Sequence, residues 1–177
     1  MPTTAALCRD PSPVLAAERP EDRDLVEGMI ARAFGPGRFV KTAERLREHN
    51  APDLSMSFVA WCDGKAVGCV RQWPVLIGET PALLLGPFAV EAAWRKRGLG
   101  AALIRHAVEA ATRAGHHLIL LVGDPPFFGP LGFSAGPVRA VRLPGPVDQR
   151  RVLVRALTPG ADANLSGLVR VPRSITA

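Results

Sequence analysis

Residues 92–107 read AAWRKRGLGAALIRHA, which sets Arg95, Lys96 and Arg97 ahead of a Gly-Leu-Gly and then turns apolar with helical spacing. Leu99, Ala102, Leu103, Ala107, Ala110 and Ala114 fall on one side and Arg105, Glu109 and Arg113 on the other. That spacing predicts a helix over 98–114. The first amides of a helix have no intrahelical partner, and that end carries partial positive charge. Three cations at its mouth are unfavourable unless an anion arrives. The stretch therefore asks for a polyanionic ligand.

The flanks set this helix in a sheet. Upstream, 83–90 reads LLLGPFAV, apolar on both faces as in a central buried strand. It belongs to a strand expected over 80–91. Gly86-Pro87 interrupts that strand, and Pro87 cannot donate to a ladder, so a bulge or splay is expected there. Downstream, 118–122 reads as a short buried strand. GDPPFFGPLGF (123–133) then reads as a kinked turn or short helix leading into a strand near Phe133.

Further out, 14–17 gives a short first strand and Pro20-Glu21-Asp22 a helix start. That helix keeps Leu25, Met29, Ile30 and Ala33 on one face until Gly35-Pro36-Gly37. A second helix is expected over 39–49, with Val40, Ala43 and Leu46 on one side. Strands over 57–62 and 65–77 flank an Asp63-Gly64 hairpin turn. Later strands are expected over 151–157 and near Leu168. This order of helices, antiparallel meander and one β-α-β crossover is an α+β layout, with helices on both faces of one sheet.

Three phosphate-cradling patterns compete for the glycine-rich turn. A Walker loop needs Gly-Lys-Ser/Thr, which the chain lacks. A dinucleotide fingerprint would end on glycine or alanine where this chain has Leu103, and it would open a β-α-β unit rather than follow a meander. The third pattern is Arg-x-x-Gly-x-Gly after a strand ending in valine. It stands complete as Val90, Arg95, Gly98 and Gly100.

On these residues the chain resembles the GCN5-related N-acetyltransferase (GNAT) superfamily, in its YhbS-like branch. The resemblance runs from about Val14 to Leu157, and LLLGPFAV, RKRGLGAALI, LLVGDPPFFGPLGF and LPGPV carry it. It implies an α+β fold in α/β/α layers. The central sheet would be mixed but mostly antiparallel, with a cleft splayed between its fourth and fifth strands. It implies acetyl-CoA as co-substrate and no metal. Arg95, Lys96, Arg97, Gly98, Leu99, Gly100 and Ala101 would hold the pyrophosphate, as helix N-termini do. Phe88, Ala89 and Val90 would pair with the pantetheine arm, with Phe127 and Phe128 beside it.

The implied activity is transfer of the acetyl group to a primary amine, by direct attack in a ternary complex. The backbone N–H of Ala89 or Val90 would stabilise the oxyanion. Glu91, Glu79, Asp63 and Asp124 all qualify as the base, and the sequence does not rank them. Relatives place a tyrosine acid where this chain has Phe128, and the chain contains no tyrosine. The alternative reading is therefore a non-catalytic acyl-CoA-binding module.

Composition bounds the remainder. At 177 residues, 47% hydrophobic and 21% charged, the chain reads as one globular domain over 1–177, with 1–13 as a loose arm. Net charge of +6 favours anionic partners, but basic clusters without interleaved aromatics give nucleic acid little support. No signal-peptide pattern or ~20-residue apolar run is present, so a cytoplasmic location without membrane contact is the default. Cys8, Cys62 and Cys69 show no metal-like clustering, and Cys62 and Cys69 read as inert buried thiols. The acceptor is left open between a small-molecule amine, an aminoglycoside, a peptide N-terminus and a protein lysine. A homodimer rests on the family analogy alone.

Overall fold

The computed structural model describes residues 12–173. Its strands are β1 (Val14–Ala17), β2 (Phe58–Cys62), β3 (Lys65–Ile77), β4 (Thr80–Val90), β5 (Leu118–Val122), β6 (Ala140–Arg142), β7 (Val152–Ala156) and β8 (Ser166–Arg170). The main sheet runs β1-β2-β3-β4-β5-β7, and β8 joins the far end of β3 and pairs with β6. Only β4–β5 and β6–β8 are parallel. The sheet is mixed and mostly antiparallel.

Helix α1 (Arg23–Phe34) covers one face and α3 (Leu99–Arg113) the other. Alternation along β4 explains why its sequence is apolar throughout. Leu83 and Leu85 pack under α3 with Leu103, Ile104 and Ala107, whereas Ala82 and Leu84 join Leu118 and Leu120 in a second cluster. Past the 86–87 irregularity the faces exchange, and Ala89 joins Val26, Met29 and Ile30 of α1. Leu103 is fully buried. Truncating such a leucine to alanine typically costs about 2–5 kcal/mol. Gly68 on β3 permits this close docking, since a Cβ there would stand 2.9 Å from Leu103 Cδ1 and 3.3 Å from the Ala89 carbonyl.

The Asp63-Gly64 turn joins β2 to β3 with both residues at positive φ, +47° and +72°. That matches the hairpin geometry expected of this dipeptide. The first strand, the meander and the crossover helix stand where the sequence puts them. Most of the expected arm over 1–13 lies outside the described residues.

Three expectations need correction. The helix over 39–49 is instead a 3₁₀ turn (Pro36–Val40) followed by one helical turn, α2 (Thr42–Arg45). Loop contacts override the helical pattern: Thr42 Oγ1 donates to the Pro146 carbonyl, and Arg45 Nη1 to that of Pro144 at 2.7 Å. The strand near Phe133 reduces to one bridge, Ser134 with Val154, and β6 was not anticipated. Cys69 is a free buried thiol, pushed up to about 12 by burial, but Cys62 is disulfide-bonded.

Candidate active site

The site begins where β4 and β5 part. They pair only at Leu83–Ile119 and Leu84–Leu120. Beyond Leu85 the edge of β4 facing β5 has no strand partner. Across β3 the register also slips: Gln72 faces Leu85 and Val70 faces Phe88, so Arg71 lies opposite the Gly86-Pro87 pair. This is the interruption expected from Pro87. Gly86 takes φ +117°, a value that favours glycine.

The register also fixes which amides face the opening. Glu91 N donates to the Val67 carbonyl at 3.0 Å, and Val90 stands opposite Gly68. Residues alternate along an antiparallel ladder, so Ala89 turns its N–H toward β3 while Phe88 and Val90 turn theirs toward the cleft. Of the two amides proposed from the sequence for the oxyanion, Val90 lies on the open edge and Ala89 does not. Phe88 offers a second open donor.

The cationic turn closes one end of this edge. A 3₁₀ turn (Ala92–Trp94) leads through Lys96 and Gly98, at φ +60° and +82°, into α3. No side chain caps α3, and its first turn holds no acidic residue. Its first intrahelical bond runs from Ala102 N to the Gly98 carbonyl at 3.0 Å, which leaves the amides of Leu99, Gly100 and Ala101 for an anion. Arg95 Nε donates to the Val90 carbonyl at 3.0 Å and ties the turn to the strand edge. Arg97 lies over the Trp94 ring. Leu99 is buried, and Ala101 packs against the core beneath α3.

A short helix, α4 (Pro125–Phe128), supplies the aromatic wall. Phe127 stacks on Phe88 with centroids 5.8 Å apart, and Phe128 meets both rings edge-on. A Cβ on Gly100 would lie 3.5 Å from Phe88 and 3.6 Å from Phe127. The fold thus brings the helix mouth, the open β4 edge and the Phe127–Phe128 pair to one place. Phe128 is buried against Gly123 and Phe133, and it carries no proton donor.

Beside them opens a cavity of about 560 Å³, bounded by Leu85–Phe88 of β4, the 121–124 end of β5 and parts of 34–47 and 146–151. Among the four carboxylates considered as bases, only Asp124 lines it. Glu91 is paired with Arg32 at 2.7 Å, Glu79 with Arg170 at 2.6 Å, and Asp63 belongs to the hairpin turn. Asp124 begins α4 without a side-chain capping bond.

The sequence reading missed Arg38, just before the expected helix, and Lys41 and Arg47 within it, all of which line the cavity. No motif marked them; only the loop that pins this segment brings them over the cleft. Of the arginines around LPGPV, Arg151 reaches the cavity and donates to the Gly123 carbonyl at 3.2 Å, whereas Arg150 pairs with Asp148 on the rim. His106 sits edge-on to Phe58, at the border of the core. Among the described residues no group of His, Cys, Asp or Glu could hold a metal ion.

Comparison with known proteins bears on this architecture. The model of the acetyltransferase (GNAT) domain matches residues 53–135, which span the meander, the cationic turn, α3 and the aromatic wall. The GNAT family N-acetyltransferase YhbS from Escherichia coli, solved in complex with CoA, is 26% identical; the match covers 92% of each chain with a TM-score of 0.78. Residues 53–135 form a GNAT acetyltransferase domain. Over most of its length the chain is similar to YhbS. A GNAT acetyltransferase from Brucella melitensis, solved with acetyl-CoA, is 27% identical over 79% of this chain and 94% of its own, with a TM-score of 0.55. The ribosomal-protein-S18-alanine N-acetyltransferase from Escherichia coli is 17% identical over 82% and 94%, with a TM-score of 0.55, and shares the GNAT fold. No curated protein matches the chain. No helix among the described residues is long and apolar enough to cross a membrane.

Proposed function

We propose that this protein transfers an acetyl group from acetyl-CoA to a primary amine within a ternary complex. One observation carries the reading: the uncapped, acid-free N-terminus of α3 and the open edge of β4 border the same cleft. That combination suits a ligand with a pyrophosphate at one end and an extended amide-bearing arm. When bound, acetyl-CoA supplies an acyl carbon to which the amine nitrogen bonds as the C–S bond breaks and the thiolate departs.

The chain's own groups divide the remaining work. Amides of Leu99, Gly100 and Ala101, with Arg95, Lys96 and Arg97, hold the phosphates. The open amide of Val90, next to the Arg95 contact, meets the arm first. Phe88 lies further along the same edge, toward the cavity, so its N–H is the donor that faces charge developing on the acyl oxygen. This moves the oxyanion donor from Ala89 or Val90 to Phe88. Asp124 accepts the proton of the attacking amine, directly or through one water.

Thiolate departure proceeds without a tyrosine. Thiols have pKa values near ~8.5, so the leaving group is tolerable unprotonated. The buried Phe128 in the tyrosine position favours a second reading, binding without turnover. Release of free thiol from acetyl-CoA in the presence of an amine panel separates the two. Amine-dependent release supports transfer. Binding of acetyl-CoA with no release from any amine supports the second reading.

A further inference from the structure

Arg47 is the least expected feature of the cleft. Its side chain is only 13% exposed, yet its one ion pair is Nη1 with Glu44 Oε2 at 2.9 Å. Its Nε is buried with no hydrogen-bond partner, as is the Nε of neighbouring Arg38. The Nη2 group borders the cavity at the β4 interruption, 3.4 Å from the position a Cβ would take on Gly86. Burial holds the Arg47 pKa below its ordinary value despite Glu44 and a weaker pull from Glu27, and the charge of Arg38 acts in the same direction as burial. A buried guanidinium with spare donors and a cationic neighbour is stabilised by one more anion.

The surrounding groups do not supply that anion. Arg38 is bound to Glu27, which Arg71 shares. Lys41 lies over the Phe34 ring and has no carboxylate partner among the described residues. Asp148 is held on the rim by two hydrogen bonds from the Arg150 side chain, at 3.0 and 2.9 Å. Asp124 lines the cavity from the segment between β5 and α4. The wall formed by Arg38, Lys41, Glu44 and Arg47 thus brings three cations and one carboxylate to the cleft.

Position gives the ligand its size. The same point beside Gly86 that lies 3.4 Å from Arg47 Nη2 lies 4.0 Å from the Phe88 amide nitrogen. An anionic group on Arg47 is therefore only a few bonds from an atom reacting at Phe88. We propose that the acceptor is a compact amine bearing a carboxylate one or two carbons from its nitrogen, an α- or β-amino acid, with Arg47 and Lys41 holding the carboxylate. Protein lysines, and peptide N-termini other than aspartate, bring no carboxylate that near the amine and are not the acceptor. This inference rests on the acetyl-transfer reading above.

The test compares the standard α-amino acids and β-alanine with the amines left when each loses its carboxylate. Two readouts are kept: kcat/KM with acetyl-CoA, and calorimetric binding to the CoA-saturated protein. Arg47→Gln, Arg47→Lys and Lys41→Gln are measured alongside, with the melting shift produced by acetyl-CoA as a check on folding and cofactor binding. At least one amino acid should exceed its decarboxylated partner tenfold or more in both readouts. Arg47→Gln should remove that preference, Arg47→Lys restore part of it, and Lys41→Gln, an exposed site, reduce it without disturbing the fold. Equal use of amines lacking the carboxylate would overturn the proposal, as would a preference that survives Arg47→Gln or a panel with no acceptor at all. No melting shift with acetyl-CoA in the native protein would instead remove the acetyl-transfer reading, and this proposal with it.

Discussion

The indole N–H of Trp73 on β3 donates to the carbonyl of Gly86 on β4 at 2.7 Å, so one buried side chain holds the interruption that opens the cleft. Trp73→Phe removes the donor and leaves a carbonyl without its partner. Such losses typically cost about 1–3 kcal/mol. The expected outcome in urea denaturation is a lower midpoint with an unchanged slope, together with weaker amine binding, because Gly86 also borders Arg47. A variant of native stability would show that the contact contributes nothing to holding the strand.

Gly100→Glu should abolish stabilisation by acetyl-CoA while the apo protein still folds. A Cβ there meets Phe88, Phe127 and Val90 only at ordinary contact distances, 3.5 to 3.8 Å. The carboxylate then adds negative charge where the pyrophosphate is expected and supplies the helix end with its own anion. The melting curve with and without acetyl-CoA reads both effects. Retained stabilisation in the folded variant would place the phosphates elsewhere.

Phe128→Tyr should raise acetyl transfer by about tenfold, the modest end for a general acid acting on a tolerable leaving group. The ring sits edge-on to Phe88 and Phe127, beside the open strand edge. Steady-state rate against pH, with one shared amine, compares the two proteins. An identical profile would mean that leaving-group protonation does not limit the rate, or that this ring is away from the sulfur.

The crossover motif was legible because its information is local. Val90, the cations, Gly98-x-Gly100 and the apolar face of α3 lie within 25 residues of one another, and the structure keeps them in register. The splay was legible too, since Pro87 cannot serve a ladder wherever it stands. What failed depends on distant partners. The 39–49 segment shows a helical apolar pattern, yet Val40 is 86% exposed and Thr42 and Arg45 are bound by a loop a hundred residues away in sequence. The choice of Asp124 over Glu91, Glu79 and Asp63 needed the arginines that pair with two of its rivals. Ala89 was separated from Phe88 and Val90 only by ladder register.

Asp124→Asn tests the base assignment. The substitution keeps size and removes the proton acceptor, so kcat/KM should fall by roughly 10²–10⁴-fold. The acetyl-CoA melting shift should be unchanged, because Asp124 lies at the end of β5, away from the cationic turn. Unaltered turnover would hand the proton to water or to another carboxylate.

Acid should unfold the protein through Asp22 and Glu27. A hydrogen bond from the Arg19 guanidinium holds the Asp22 carboxyl below its usual range, outweighing burial. Burial alone would raise the Glu27 carboxyl, but hydrogen bonds from Arg38 and Arg71 outweigh it and hold that carboxyl low as well. Depressed folded pKa values mean that this stability is fully present above the unfolded values, near ~3.9 and ~4.3, and is lost as pH falls through the folded ones. Melting temperature should therefore drop steeply below about pH 4. Asp22→Asn should flatten that limb, and an unchanged acid limb would remove Asp22 from the account.

The most direct measurement is the melting temperature of the native protein across an acetyl-CoA titration, with inorganic phosphate as the parallel arm. At one hundred times the dissociation constant, linkage gives about 2.7 kcal/mol. In a domain of this size that corresponds to a rise of roughly 5–10 °C. The account predicts that rise for acetyl-CoA and little for phosphate. A melting temperature unmoved by millimolar acetyl-CoA, or one raised equally by phosphate, would contradict it.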